Sequence, residues 1–151
     1  MKVIGAGHSF TATAMTDGVM LRLDNMGQIL NVDGETGQVH VQAGATLRDF
    51  CRELHRYGLA LPNLGDIDVQ SIAGAISTAT HGTGFGLGNL ATNVVAMTLV
   101  SGKGEIVELN EGDSRMSIAA VGVGALGIVC EVELQCEPSF RLHAYETIEY
   151  L

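Results

Sequence analysis

The stretch VIGAGHSFT, residues 3–11, closes an apolar run with two glycines and places an imidazole directly behind them. A strand entering Gly5-Ala6-Gly7 raises the dinucleotide fingerprint, in which glycines let backbone N–H groups approach a pyrophosphate at a helix N-terminus. The spacing excludes it. The third glycine of G-x-G-x-x-G would fall on Phe10, and the chain runs on through TATAMTDG into the strand-like residues 19–23 instead of a helix. A Walker loop fails as well: Gly102-Lys103 is followed by Gly104 and lacks the upstream glycine. Any nucleotide must be held another way.

The rest of the chain bounds the problem. Its 151 residues are 46% apolar, with mean hydropathy +0.26, enough for one domain with a substantial core. Twenty glycines against two prolines, without low-complexity repeats, indicate many tight turns and close backbone approaches. The net charge of −9 would repel a phosphate backbone, and with no basic stripe to offset it nucleic acid is not an expected partner. Between Arg56 and Lys103 there is no Lys or Arg, so a phosphate bound there must be met by backbone amides and hydroxyls. Cys51, Cys130 and Cys136 form no CxxC pair and the histidines no HExxH; no metal site is expected, and the cysteines read as reduced core residues. No 18-residue apolar span or signal peptide is present, so the chain reads as cytoplasmic without a membrane span.

Alternation predicts hairpins. In GQILNVDGETGQVHVQAG, residues 27–44, Val39, Val41 and Ala43 share one face around a turn at Gly34, and His40 and Gln42 share the other. Thr46 caps a predicted helix with the stripe Leu47, Phe50, Cys51 and Leu54, stopped by Gly58, with His55 toward solvent. A second hairpin joins NVVAMTLV to EIVEL across residues 101–104, and a short helix follows near residues 114–121. The strand GIVCEVELQC places Ile128, Cys130, Val132, Leu134 and Cys136 on one face and Glu131, Glu133 and Gln135 on the other. Mostly antiparallel strands flanked by helices make an α+β domain. The apolar strand at Val3 and Ile4 opens the chain so abruptly that it reads as starting inside a domain.

Residues 59–95, LALPNLGDIDVQSIAGAISTATHGTGFGLGNLATNVV, are dominated by Gly, Ala, Ser and Thr. Such a stretch is either a buried helix packed through small residues or a backbone that a ligand approaches closely. Ser71 can cap a short helix over residues 72–76, which would leave oriented N–H groups beside the hydroxyls of Ser77, Thr78 and Thr80.

Together, GAGHSF, LALPNLGDIDVQSIAGAISTATHGTG and GALGIV resemble, in order and separation, the PCMH-type FAD-binding domain of the vanillyl-alcohol-oxidase flavoproteins, in the aldonolactone and alditol oxidase branch. The resemblance runs through nearly the whole chain. It implies a pyrophosphate loop at Val3, Ile4, Gly5, Ala6, Gly7, His8 and Ser9, with FAD tethered covalently through His8. Further FAD contacts are implied at Ser71, Gly74, Thr78, Ala79, Thr80 and His81, and an adenine contact at Ile128 or Val129. Gly65 aligns near the oxygen-reactive edge of the flavin, and Asp66 replaces a serine contact of an alditol-type relative. His8 taken alone could simply bond nearby backbone, and His81 could contribute only its backbone.

On this resemblance, residues 1–138 are a partial FAD-binding domain lacking its N-terminal portion, and residues 139–151 begin a substrate domain. The implied activity is oxidation of a CH–OH group in a sugar lactone or polyol by hydride transfer to FAD, with oxygen or another electron acceptor. No catalytic base is identifiable in this chain. The competing class is a flavin-binding or structural domain without turnover. A carbohydrate-binding module is disfavoured by the absence of Trp and only 5% aromatic residues.

Overall fold

The computed structural model describes residues 1–148; the last three residues of the stretch assigned to a second domain, 149–151, lie outside the described residues. The strands are β1 (Lys2–Ile4), β2 (Met20–Arg22), β3 (Ile29–Val32), β4 (Gln38–Gln42), β5 (Leu59–Ala60), β6 (Val94–Val100), β7 (Ile106–Leu109), β8 (Ile128–Gln135) and β9 (Glu137–Pro138). The helices are α1 (Leu47–Arg56), α2 (Ile72–Ser77) and α3 (Met116–Ala120). A five-stranded sheet in the order β3-β4-β8-β6-β7 is antiparallel at every step. β5 and β9 form a small antiparallel pair, whereas β1 and β2 pair in parallel.

Both expected hairpins are present, as is the short helix after β7. Val39, Val41 and Ala43 are completely buried and share one core with Leu47, Phe50 and Leu54 of α1. Each of the Val, Leu and Phe side chains contributes roughly 1.5–3 kcal/mol by leaving water. Helix α1 begins where the Thr46 hydroxyl accepts the Asp49 N–H at 3.1 Å and ends at Gly58, which takes φ +69. His55 is exposed, as expected. On the opposite sheet face His40 is half-buried, with its Nε2 at 3.0 Å from Glu131 Oε2. No helix among the described residues is long and apolar enough to cross a membrane.

The alternation read along β8 requires one correction. Thr98 pairs with Glu131 but Leu99 pairs with Val129, so Cys130 is an extra residue on β8. This bulge places two residues opposite one and reverses the facing of what precedes it. Val129, 7% exposed, turns to the core with Val132, Leu134 and Cys136, while Cys130 is only half-buried. The three cysteines are free thiols, and burial pushes the Cys136 thiol up to about 12.

Candidate functional site

A cleft of about 750 Å³ opens between five segments, within the size range of small-molecule sites. They are the loop after β1, the single helical turn at Ala12–Ala14, one side of α2, the β6–β7 turn and the loop entering β8. The expected residues Val3, Ile4, Gly5, Ala6, Gly7, His8, Ser9, Ser71, Gly74, Thr78, Ile128 and Val129 all line it. His8 is exposed.

Gly65, Asp66, Ala79, Thr80 and His81 are not in the lining. Three of them lie together: a Cβ on Gly65 would stand 3.0 Å from Thr80 Cγ2 and 3.4 Å from the His81 carbonyl oxygen. Asp66 is exposed. His81 Nδ1 is 2.8 Å from the Gly82 carbonyl, which can only accept, so Nδ1 carries a proton. Ala79 takes φ +52, a left-handed conformation that turns the chain sharply between Thr78 and Thr80. Thr80 reaches the cleft wall through Gln70, whose Nε2 donates to Thr80 Oγ1 at 3.0 Å.

The first turn of α2 differs from the reading of its cap. Ser71 does cap the helix, accepting the Gly74 N–H at 3.2 Å. Its neighbours, however, are not left free: Ile72 N–H donates to Ala45 and Ala73 N–H to Ala43, each at 2.8 Å. Packing against the end of β4 satisfies the donors that an isolated helix would leave open. The unengaged amides lie in the loop after β1. None of the N–H groups of residues 5–9 donates to an acceptor among the described residues. Gly7 holds φ +74 there, and a Cβ on Gly5 would fall 2.5 Å from Ser71 Oγ, so only glycine admits this approach of the loop to α2.

Several lining residues escaped the sequence reading. Lys2 and Asp24 line the cleft, the Asp24 carboxylate engaged by Arg22 Nε at 2.7 Å. Ser101, Gly102 and Gly104 contribute the β6–β7 turn, and Val123 takes φ +50, an outlying conformation for a β-branched residue. Gly127, at φ +152, lies where a Cβ would run into the Val100 carbonyl. The GALGIV motif signalled that loop; Gln70 and Val123 carried no local signal.

A cleft of this size, lined by residues of β1, β6 and β8 and by a glycine loop with open amides, suits a phosphate-bearing cofactor. Residues 1–110 match the family model described as FAD binding domain, and the chain belongs to that family. It is 45% identical over 97% of its length to L-gulono-1,4-lactone dehydrogenase of Mycobacterium tuberculosis, covering 34% of that protein. It is 42% identical over 94% of its length to L-gulonolactone oxidase of Mus musculus, covering 33%. Against alditol oxidase of a Streptomyces species the identity is 39% over 91% of the chain, covering 34%. The chain thus spans about a third of the length of these curated relatives.

Among solved structures, alkyldihydroxyacetonephosphate synthase superposes with TM-score 0.82 at 21% identity, over 91% of this chain and 29% of that one. Cholesterol oxidase from Brevibacterium sterolicum gives 0.80 at 22% identity, over 91% and 30%. The fold is the α+β, PCMH-type FAD-binding fold.

Proposed function

We propose that this chain is the FAD-holding part of a longer oxidoreductase that oxidises a CH–OH group of a sugar lactone or polyol. The observation that carries the reading is the loop of residues 5–9: five neighbouring N–H groups without internal acceptors, on a cleft of about 750 Å³ in a chain of the FAD-binding family. The residues present fit such a cofactor. Oriented amides suit a pyrophosphate, Lys2 lines the cleft, and Gly5 leaves the space that a Cβ would fill. FAD, when bound, supplies the acceptor for a hydride from the substrate carbon. The chain's own part is to hold and orient it: residues 5–9 at the phosphates, His8 as the covalent tether, Gly74 and Thr78 along the α2 wall, and Ile128 or Val129 by backbone at the adenine.

The names of the relatives support the substrate class, a lactone or an alditol. Residues 139–151 are read as the start of a substrate domain that would manage the hydroxyl proton. We assign oxygen as the acceptor on Gly65, which presents no side chain. An alanine there would press on Thr80 Cγ2 at 3.0 Å. Cytoplasmic placement is supported by three unpaired thiols. The test is anaerobic mixing of the full-length flavoprotein with aldonolactones and alditols, followed by oxygen. Bleaching of the flavin by substrate and recovery with oxygen are expected; a flavin that no member of either class reduces would leave a binding domain without turnover.

A further inference from the structure

Among the described residues, two that are not glycine hold a positive φ, and the fold accounts for one of them. Ala79, at φ +52, ends α2. Its N–H donates to the Ile76 carbonyl at 3.0 Å and the Thr80 N–H to the Ala75 carbonyl at 2.9 Å, the paired bonds by which a helix stops on a left-handed residue. Val123, at φ +50, has no such part. It stands beyond the end of α3, where the Ala125 N–H donates to the Gly122 carbonyl at 2.8 Å and closes a four-residue turn. The two central residues, Val123 and Gly124, hold φ +50 and +73, and a turn with both at positive φ suits Asn-Gly or Gly-Gly. Gly124 meets that requirement. Valine, branched at Cβ, is among the residues that meet it worst.

The turn is held from both sides. The Gly122 N–H donates to the Ala119 carbonyl of α3 at 3.3 Å, and Gly127 approaches β6 so closely that a Cβ would run into Val100. Packing within the chain does not explain the valine, which is 44% exposed and not part of the hydrophobic core. What it has is a place in the cleft lining, together with Val100, Ala125, Ile128 and Val129. A strained residue kept on the wall of a ligand cleft, where Asn or Gly would make the same turn without strain, points to a use for its side chain.

We infer that the Val123 isopropyl group packs on a ring of bound FAD, and that the turn bears its strain to hold it there. This rests on the cofactor reading above. FAD carries two flat rings, isoalloxazine and adenine, and covering the valine methyls with the face of either removes apolar surface from water. An asparagine at the same place would relax the turn and forfeit that contact.

The experiment uses the full-length protein in a His8→Ala background, so that binding is reversible, and titrates FAD, ADP and riboflavin. Val123→Gly and Val123→Asn should each raise the Kd for FAD about tenfold, equal to ~1.4 kcal/mol, while raising the melting temperature of the FAD-free protein by about 2 °C through release of strain. Opposite signs in the two measurements are the signature of a side chain kept for the ligand. Val123→Ile keeps both the strain and the apolar contact, and should bind FAD within about threefold of the parent. A matching loss for ADP alone places the ring as adenine; for riboflavin alone, as isoalloxazine. Val123→Gly and Val123→Asn with undisturbed affinity for FAD overturn the inference while the cofactor reading stands. So does weaker binding with a lowered melting temperature or a failure to fold, since the valine would then be holding the turn itself, and so does Val123→Ile losing as much as Val123→Gly. A parent protein with no affinity for FAD overturns both readings.

Discussion

On one wall of the cleft the first turn of α2 directs its N–H groups into the protein, to Ala45, Ala43 and the Ser71 hydroxyl; on the other, residues 5–9 direct theirs to no internal acceptor. Both segments carry the glycine and hydroxyl composition associated with phosphate binding. The difference lies in what packs behind them. Helix α2 leans on the chain between β4 and α1, whose carbonyls take its donors, whereas the loop after β1 follows only a two-stranded parallel pair of three residues each. A capped helix start is an anion site only when its remaining donors are free. Here the helix shapes the wall and the loop offers the bonds.

The largest effect should come from the loop. In the full-length protein His8→Ala is expected to abolish acid-stable flavin altogether, read as the mass of the precipitated chain; flavin that persists through precipitation would move the tether elsewhere. Next, Gly5→Val should weaken FAD binding about 100-fold, ~2.7 kcal/mol, because its Cβ would lie 2.5 Å from Ser71 Oγ and 3.6 Å from Gly74 Cα. Combining the smaller Gly5→Ala with Ser71→Ala should recover part of its loss, since the second change removes the colliding oxygen; strict additivity would show that the two walls do not touch in solution.

Ser71→Ala by itself belongs to the helix wall. It should lower the unfolding free energy by about 1 kcal/mol through loss of the cap and change FAD affinity by less than about threefold, measured by thermal melting and by titration in the His8→Ala background. A large affinity loss with unchanged melting would reverse the roles of the two walls. The smallest expected effect concerns Cys136. With its thiol raised to about 12 by burial, the thiolate fraction at pH 8 is on the order of one in ten thousand. Native alkylation should leave Cys136 unlabelled until denaturant is added.

Local pattern made much of this legible. The Thr46 cap, the α1 stripe, both hairpins and the inward set Val39, Val41 and Ala43 follow from period and capping rules that operate within a few residues. The glycine spacing of the loop through His8 excluded the dinucleotide turn, and the family resemblance singled the loop out. Long-range pairing was not legible. The bulge at Cys130 depends on how β8 meets β6, and the fate of the Ile72 and Ala73 amides on where β4 ends. Val123 and Ala79 adopt left-handed conformations that their side chains do not advertise. Gln70 precedes a helix start and bonds a threonine ten residues on, a contact that the fold and not the local pattern creates.

The sheet order also sets a timetable. Its middle strand, β8, comes last in the chain of the five and must slide between β4 and β6, pairing Val39 with Leu134 and Val100 with Ile128. The hairpins β3–β4 and β6–β7 can close early, since each joins neighbours in the chain, but neither can join the other until residue 135 has been made. At a synthesis rate of about 5–20 residues per second, the stretch from β4 to the end of β8 takes on the order of ten seconds to emerge. During that interval β4 and β6 each expose an unpaired edge, the kind of surface on which chains aggregate. A ribosome that stalls or a message that ends before residue 135 therefore leaves two half-sheets without their shared strand, and the burden of keeping them apart falls on whatever meets the nascent chain.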